Sequence, residues 1–259
     1  MQADKVIDYI VGWLRDYAAG AGVNGFVVGI SGGVDSAVTS TLCAQTGLSV
    51  MVLNMPIRQA PDQKSLAEKH LGWLQQRYEN VSGYTTDLTA VLEAFESCLP
   101  EAVQDHLTMA NTRARIRMAT LYAFATHHRM LVAGTGNKVE DFGVGFFTKY
   151  GDGGVDISPI ADLYKSGVYQ LARHLGVIEE ILDAPPTDGL WPDSRSDEDQ
   201  IGATYDELEW AMEFDPNGGR PQDLTERQKQ VLSIFRELNR KNRHKIEPIP
   251  VAVIPEKLK

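Results

Sequence analysis

Phe26-Val27-Val28-Gly29-Ile30-Ser31-Gly32-Gly33-Val34-Asp35-Ser36 decides how this chain of 259 residues is read. A short apolar run with β-branched residues breaks into Ser-Gly-Gly, and an alanine- and threonine-rich segment follows. The pattern predicts a buried strand feeding a helix through a turn that only small residues make. Such a junction turns backbone N–H groups and the positive end of a helix toward one point, which suits an anion. The common nucleoside-triphosphate loop ends in Gly-Lys-Ser/Thr. This one has no lysine; the hydroxyls of Ser31 and Ser36 stand beside the carboxylate of Asp35. A carboxylate next to phosphates makes sense if it holds Mg²⁺, which takes oxygen ligands and substrate phosphates. Asp35 could instead cap the helix, but Ser36 can do that as well, and the Gly-Gly turn already implies phosphate.

Working outward, apolar residues at helical spacing predict a first helix from Asp4 to Ala19, before a strand from Asn24 to Ile30. After it come a helix from Ser36 to Gln45, a strand from Leu48 to Met55, a helix from Pro61 to Tyr78 and a short strand around Val81–Thr85. A long helix follows from about His106 to His127, then a short strand from Met130 to Ala133. Strands alternating with helices predict one α/β domain, residues 1–259, with a central parallel sheet flanked by helices in a Rossmann-like arrangement. Ligands of such sheets bind beyond the carboxyl ends of strands. Ser31-Gly32-Gly33 and Gly134-Thr135-Gly136 both sit at such ends, so two motifs converge on one crevice. Further on, a helix is expected from Asp162 to Gly176, a lid-like loop from Ala184 to Asp197, a turn at Asp215–Pro221 and a helix from Thr225 to Asn242. The prolines at 248, 250 and 255 make residues 246–259 an extended tail.

The net charge of −10 argues against a general nucleic-acid binder. Anionic ligands would then need a local concentration of cations, helix N-termini and metal. No apolar stretch approaches the ~20 residues of a membrane span, and residues 1–20 do not read as a secretion signal. Cys43 and Cys98 are too isolated for a disulfide framework, which fits a cytoplasmic protein.

Gly29 to Ser36 resembles the pyrophosphate-binding loop of the N-type ATP pyrophosphatases, the adenine nucleotide α-hydrolase-like fold. A second segment chooses among them: Gly134-Thr135-Gly136-Asn137, Glu140, then Phe146-Phe147-Thr148-Lys149-Tyr150-Gly151-Asp152-Gly153-Gly154 and Asp156. It closely resembles the NAD synthetases, and the likeness runs from about Gly29 to His244-Lys245. The resemblance implies ATP-dependent amidation of deamido-NAD to NAD, the last step of NAD biosynthesis. The nicotinate carboxylate attacks the α-phosphate of ATP, giving an adenylate and pyrophosphate; ammonia then displaces AMP. No protein nucleophile is expected.

Carried over residue by residue, the resemblance gives ATP contacts at Gly29, Ile30, Ser31, Gly32, Gly33, Val34, Asp35, Ser36, Thr135, Lys165 and Thr187. Asp35 and Glu140 would hold Mg²⁺. Arg115, Lys149, Asp156, His244 and Lys245 would hold deamido-NAD, in a homodimer that shares this site. Helical spacing sets Arg113 and Arg117 on one face and Arg115 nearly opposite. One of the three is therefore expected to be functional, the others structural ion-pair partners. The phosphate loop begins within the first 30 residues, leaving no room before it for a glutamine amidase. Free ammonia is thus the expected nitrogen source, unless a separate glutaminase feeds the chain.

Overall fold

The structure, a computed structural model, describes residues 1–58, 61–185, 196–214 and 223–259. Its elements begin with α1 (Ala3–Ala21), β1 (Gly25–Ile30), α2 (Val34–Gln45), β2 (Ser49–Asn54), α3 (Pro61–Arg77) and β3 (Val81–Thr85). α4 (Thr89–Ser97), α5 (His106–His128), β4 (Leu131–Val132) and a π-helical turn (Val139–Val144) follow. α6 (Lys165–Leu175), α7 (Glu179–Leu182), α8 (Asp197–Ile201), α9 (Tyr205–Glu213) and α10 (Glu226–Ile246) complete the helices.

The four strands form one parallel sheet in the order β3-β2-β1-β4. Alternation along the strands builds a core on each face. Phe26, Val28 and Ile30 of β1, with Val50 and Val52 of β2, pack into a cluster with α1, α2, α3 and α6. Val27, Met51 and Leu53 turn the other way, toward Leu88, Leu92 and Ala125 beside α4 and α5. Phe26 is fully buried, and burying a side chain of this kind contributes about 1.5–3 kcal/mol. Strands β2 and β3 lie on one side of β1 and β4 on the other, so the chain reverses direction across the sheet between β1 and β4. That is the switch point where α/β sheets open a crevice.

A third cluster stands apart from the sheet: Val139 and Val144 of the π-helical turn, Leu208 and Ala211 of α9, Val231 and Leu232 of α10. A polar seam continues it. Asn239 Nδ2 donates to the Gly143 carbonyl at 2.7 Å, Asn242 Nδ2 to Val144 at 2.8 Å, and Lys245 Nζ to Phe147 at 2.7 Å. Gly145 makes this approach possible: its φ is +66°, and a Cβ there would stand 2.5 Å from Asn242 Cβ.

Several boundaries differ from the sequence expectation. The helix expected from Asp162 starts at Lys165, because Tyr164 is extended (φ −64°, ψ 158°) at its N-cap. The last helix continues past Asn242 to Ile246, so His244 and Lys245 lie inside its final turn. The loop expected to reach Asp197 ends sooner: a Ser196–Asp199 capping box starts α8 there. α4 and α9 stand where no element was read. Residues 186–195, and with them most of that loop and Thr187, lie outside the described residues, as does the turn at 215–221. The chain beyond Glu247 is exposed, without helix or strand until a 3₁₀ turn at Glu256–Leu258.

Candidate active site

The loop between β1 and α2 is held by its own hydroxyls. Ser31 Oγ accepts from Gly33 N at 3.2 Å, and Ser36 Oγ donates to the Gly33 carbonyl at 3.0 Å while accepting from Ser31 N at 3.3 Å. Gly32 has φ +89°, in the left-handed region open to glycine. Gly33 takes the N-cap without a side-chain hydrogen bond, so the first-turn N–H groups of α2 have no side-chain cap. Neither Asp35 nor Ser36 caps the helix. Asp35 turns instead to a buried polar cluster.

At its centre is the ammonium of Lys165, at the first position of α6. Nζ donates to Asp35 Oδ2 at 2.6 Å and to Glu140 Oε1 at 3.0 Å. The lysine side chain is 5% exposed and the two carboxylates 16% each. Burial disfavours a charged amine, but the two carboxylates outweigh it and hold the pKa above the usual lysine value. Asn137, fully buried, organises the other side. Its Nδ2 donates to Asp35 Oδ1 at 3.2 Å, while its Oδ1 accepts from Val139 N and Glu140 N and so starts the π-helical turn that carries Glu140. Tyr205, at the start of α9, donates its hydroxyl to Glu140 Oε1 at 2.6 Å and lies 3.4 Å from Asp197 Oδ2. Burial, then the charge of Glu140, push its phenol pKa well up, so the group stays a donor. Asp141, beside Glu140, has its pKa pushed up to about 7, first by burial and then by neighbouring carboxylates. Asp35 and Glu140 offer the carboxylate oxygens that suit a hard divalent cation, here held by the Lys165 ammonium. Among the described residues no group of three or more His, Cys, Asp or Glu stands ready to hold a metal by itself.

Residues from β1's end through Ser36, with Thr135, Glu140 and Lys165, line one cavity of ≈ 760 Å³. Its far wall is α5, the Phe146–Thr148 segment, Asp152 and α10. The two motifs expected to share a crevice therefore do so. Of the five residues expected on the acceptor side, Lys245 lines this cavity. Arg115 is exposed on α5, its guanidinium 3.4 Å from the Lys149 carbonyl. Lys149 Nζ donates to the His244 carbonyl, joining the Phe146–Asp152 segment to α10. Asp156 accepts from Tyr122 Oη at 3.0 Å and from Val132 N at 2.8 Å. Asn137, Tyr205 and Asp197 were not singled out from sequence as site residues, although Asn137 stands within the quoted motif; Arg117 was expected only as one of the three arginines of the long helix.

A parallel sheet with a hydroxyl-rich strand-to-helix loop at its switch point, faced by a part-buried carboxylate pair, is the setting in which α/β proteins bind nucleotides. A family model described as NAD synthase matches residues 6–249, and the chain belongs to that family. An NH₃-dependent NAD⁺ synthetase of Methanosarcina mazei is 37% identical over 97% of this chain and 98% of its own length. A solved NMN synthetase from Francisella tularensis superposes with TM-score 0.85 at 32% identity, covering 99% of both chains. An NH₃-dependent NAD synthetase from Campylobacter jejuni gives TM-score 0.76 at 25% identity, covering 98% of this chain and 100% of that one. Among the described residues no helix is long and apolar enough to cross a membrane.

Proposed function

We propose that this chain is an ammonia-dependent NAD synthetase, a ligase that uses ATP to convert the nicotinate carboxylate of deamido-NAD to the amide of NAD. The observation that carries the reading is the Lys165 ammonium between Asp35 and Glu140, at the phosphate loop and in one cavity with the Phe146–Asp152 segment.

The first step forms a bond from the carboxylate oxygen to the α-phosphorus and breaks the bond to pyrophosphate. The second forms a bond from nitrogen to the acyl carbon and breaks the bond to AMP, with one proton released from ammonia. Both nucleophiles belong to substrates, so the chain's work is alignment and charge stabilisation. The uncapped N–H groups of α2 and the hydroxyls of Ser31 and Ser36 cradle the departing pyrophosphate, backed by Gly29, Ile30, Gly32, Gly33 and Val34; Thr135 and Thr187 contact ATP. Lys165 offsets the charge that develops on phosphate oxygens. Asp35 and Glu140 would hold Mg²⁺, which when bound would neutralise phosphate charge. Asn137 and Tyr205 keep those carboxylates in place. Arg115, Lys149, Asp156, His244 and Lys245 bind the acceptor.

The unit is one catalytic domain over residues 1–259 with an extended tail that begins after Ile246, working as a homodimer in the cytoplasm. Exposed Ile249, Val251, Val253 and Ile254 in the tail support a partner surface. Two free cysteines accord with a reducing compartment.

A second reading has a specific observation in its favour. The Francisella chain that covers 99% of this one is an NMN synthetase, so nicotinate mononucleotide is the rival acceptor, with the same chemistry at the same carboxyl group. Supplying each acceptor separately with ATP, Mg²⁺ and ammonium, and separating the products by chromatography, decides between them. NAD formed with the higher kcat/KM supports the first reading, and NMN the second.

A further inference from the structure

Arg117 forms no ion pair among the described residues. Its Nε donates to the Met55 carbonyl at 2.9 Å. Its two terminal nitrogens have no hydrogen-bond partner there. The side chain is partly buried on α5 and lines the cavity shared by the phosphate loop and the Phe146–Thr148 segment. Burial, then the like charge of Arg113, lower its pKa to about 10, and the attraction of Asp152 recovers only part of that. At neutral pH the group is still fully charged.

An arginine kept for structure is normally paired, because a charge taken out of water without a partner is costly. Here a positive charge only partly offset by Asp152 and four N–H donors without a hydrogen-bond partner among the described residues, in the planar fork that matches carboxylate and phosphate, stand beside an open cavity. The neighbouring arginines differ: Arg113 has a partner, and Arg115 stands exposed on the opposite face. The ligand that completes Arg117 is therefore an anion.

Which anion follows from what the rest of the cavity already offers. The loop at Ser31–Ser36 and Lys165 serve the triphosphate of ATP. Arg117 belongs to the wall formed by Asn111, Ala114 and Met118, and Lys245 of α10 lines the same cavity, with burial lowering its pKa too. Both acceptors considered above contain a nicotinate ribose 5′-phosphate. We propose that Arg117 binds this 5′-phosphate, through a forked guanidinium–phosphate contact made only in the complex. The inference rests on the reading that the chain amidates a nicotinate nucleotide.

The test uses the full chain, Arg117→Met and Arg117→Lys, and calorimetric titration with deamido-NAD, nicotinate mononucleotide, phosphate-free nicotinate riboside and ATP. In Arg117→Met the nucleotide acceptor should lose about 30-fold in affinity, the size of a charge-assisted contact. The riboside and ATP should change by less than about 3-fold. The ratio of nucleotide to riboside affinity therefore collapses, and Arg117→Lys lies between. The melting temperature of free Arg117→Met should hold or rise, because an unpaired charge gives way to an apolar chain. An unchanged nucleotide-to-riboside ratio, loss of ATP binding in place of acceptor binding, or a lower melting temperature with all ligands weakened together would each overturn the assignment. Wild-type protein that binds neither acceptor overturns the amidation reading itself, which is a different result from a functional wild type with an indifferent Arg117.

Discussion

The ammonium of Lys165 lies 2.6 Å from the carboxylate of Asp35, a residue 130 positions earlier in the chain. The contact ties the first turn of α6 to the first turn of α2, and through Glu140 to the π-helical turn as well. Lys165→Met leaves two part-buried carboxylates facing each other. We expect a stability loss of about 3–5 kcal/mol, the cost of breaking a buried pair from one side, and pyrophosphate release slower by at least about 100-fold. Urea denaturation and a pyrophosphate assay at saturating ATP measure the two. Near-normal turnover would remove Lys165 from the phosphate chemistry.

Tyr205 reaches the same centre from α9. Tyr205→Phe removes the donor that fixes Glu140 and keeps the ring that fills the core. The expected stability cost is about 1–3 kcal/mol, from an acceptor left short of a partner. The Mg²⁺ concentration for half-maximal activity should rise several-fold. Calorimetric titration of Mn²⁺ into the free protein supplies a readout independent of turnover, and an unaltered isotherm there would detach Tyr205 from the carboxylate pair.

Lys149 joins the Phe146–Asp152 segment to α10 through the His244 carbonyl. On the acceptor-side reading, Lys149→Ala weakens deamido-NAD more than ATP, with about a tenfold rise in acceptor KM. Separate KM measurements for the two substrates check this. A larger effect on ATP would reverse the assignment.

His70 lies behind the phosphate loop, fully buried against Trp73. The Ser40 hydroxyl donates to the Ser36 carbonyl at 2.7 Å and so accepts from His70 Nε2 at 2.9 Å, leaving Nδ1 without a partner among the described residues. Burial lowers the His70 pKa to about 4, against about 6.5 in an unfolded chain. The unfolded chain therefore takes up the proton first as pH falls. Stability present above pH about 6.5 is lost on descending to pH about 4, by up to roughly 3 kcal/mol. Asp141, with its pKa raised to about 7, works in the opposite direction over this window, so the readout is the difference. Between pH 7 and 4.5 the wild-type urea midpoint should lose ground relative to His70→Gln. Parallel slopes would rule out His70 as the titrating group.

The sheet and the loop were legible because their signals are local. β-branched runs alternate across the two faces, and Ser-Gly-Gly admits few conformations. That Thr135 and Glu140 would front the same crevice as the loop was legible through a long motif. Tyr205 was not, because nothing around it in sequence says that its hydroxyl meets a carboxylate 65 positions away. The π-helical turn is set by the Asn137 side chain rather than by periodicity, and α8 by a capping box inside a stretch of turn-forming residues. Helical spacing separated Arg117 from Arg115, but which face of α5 fronts the cavity depends on how the helix packs against the sheet.

The most direct test is a reaction containing the purified chain, ATP, Mg²⁺, deamido-NAD and either ammonium or glutamine, with NAD read by an alcohol-dehydrogenase couple and AMP and pyrophosphate quantified alongside. The account expects NAD, AMP and pyrophosphate in equal amounts from ammonium and none from glutamine. Folded protein that forms no NAD from ammonium, or that forms NAD while releasing ADP and phosphate, would contradict it.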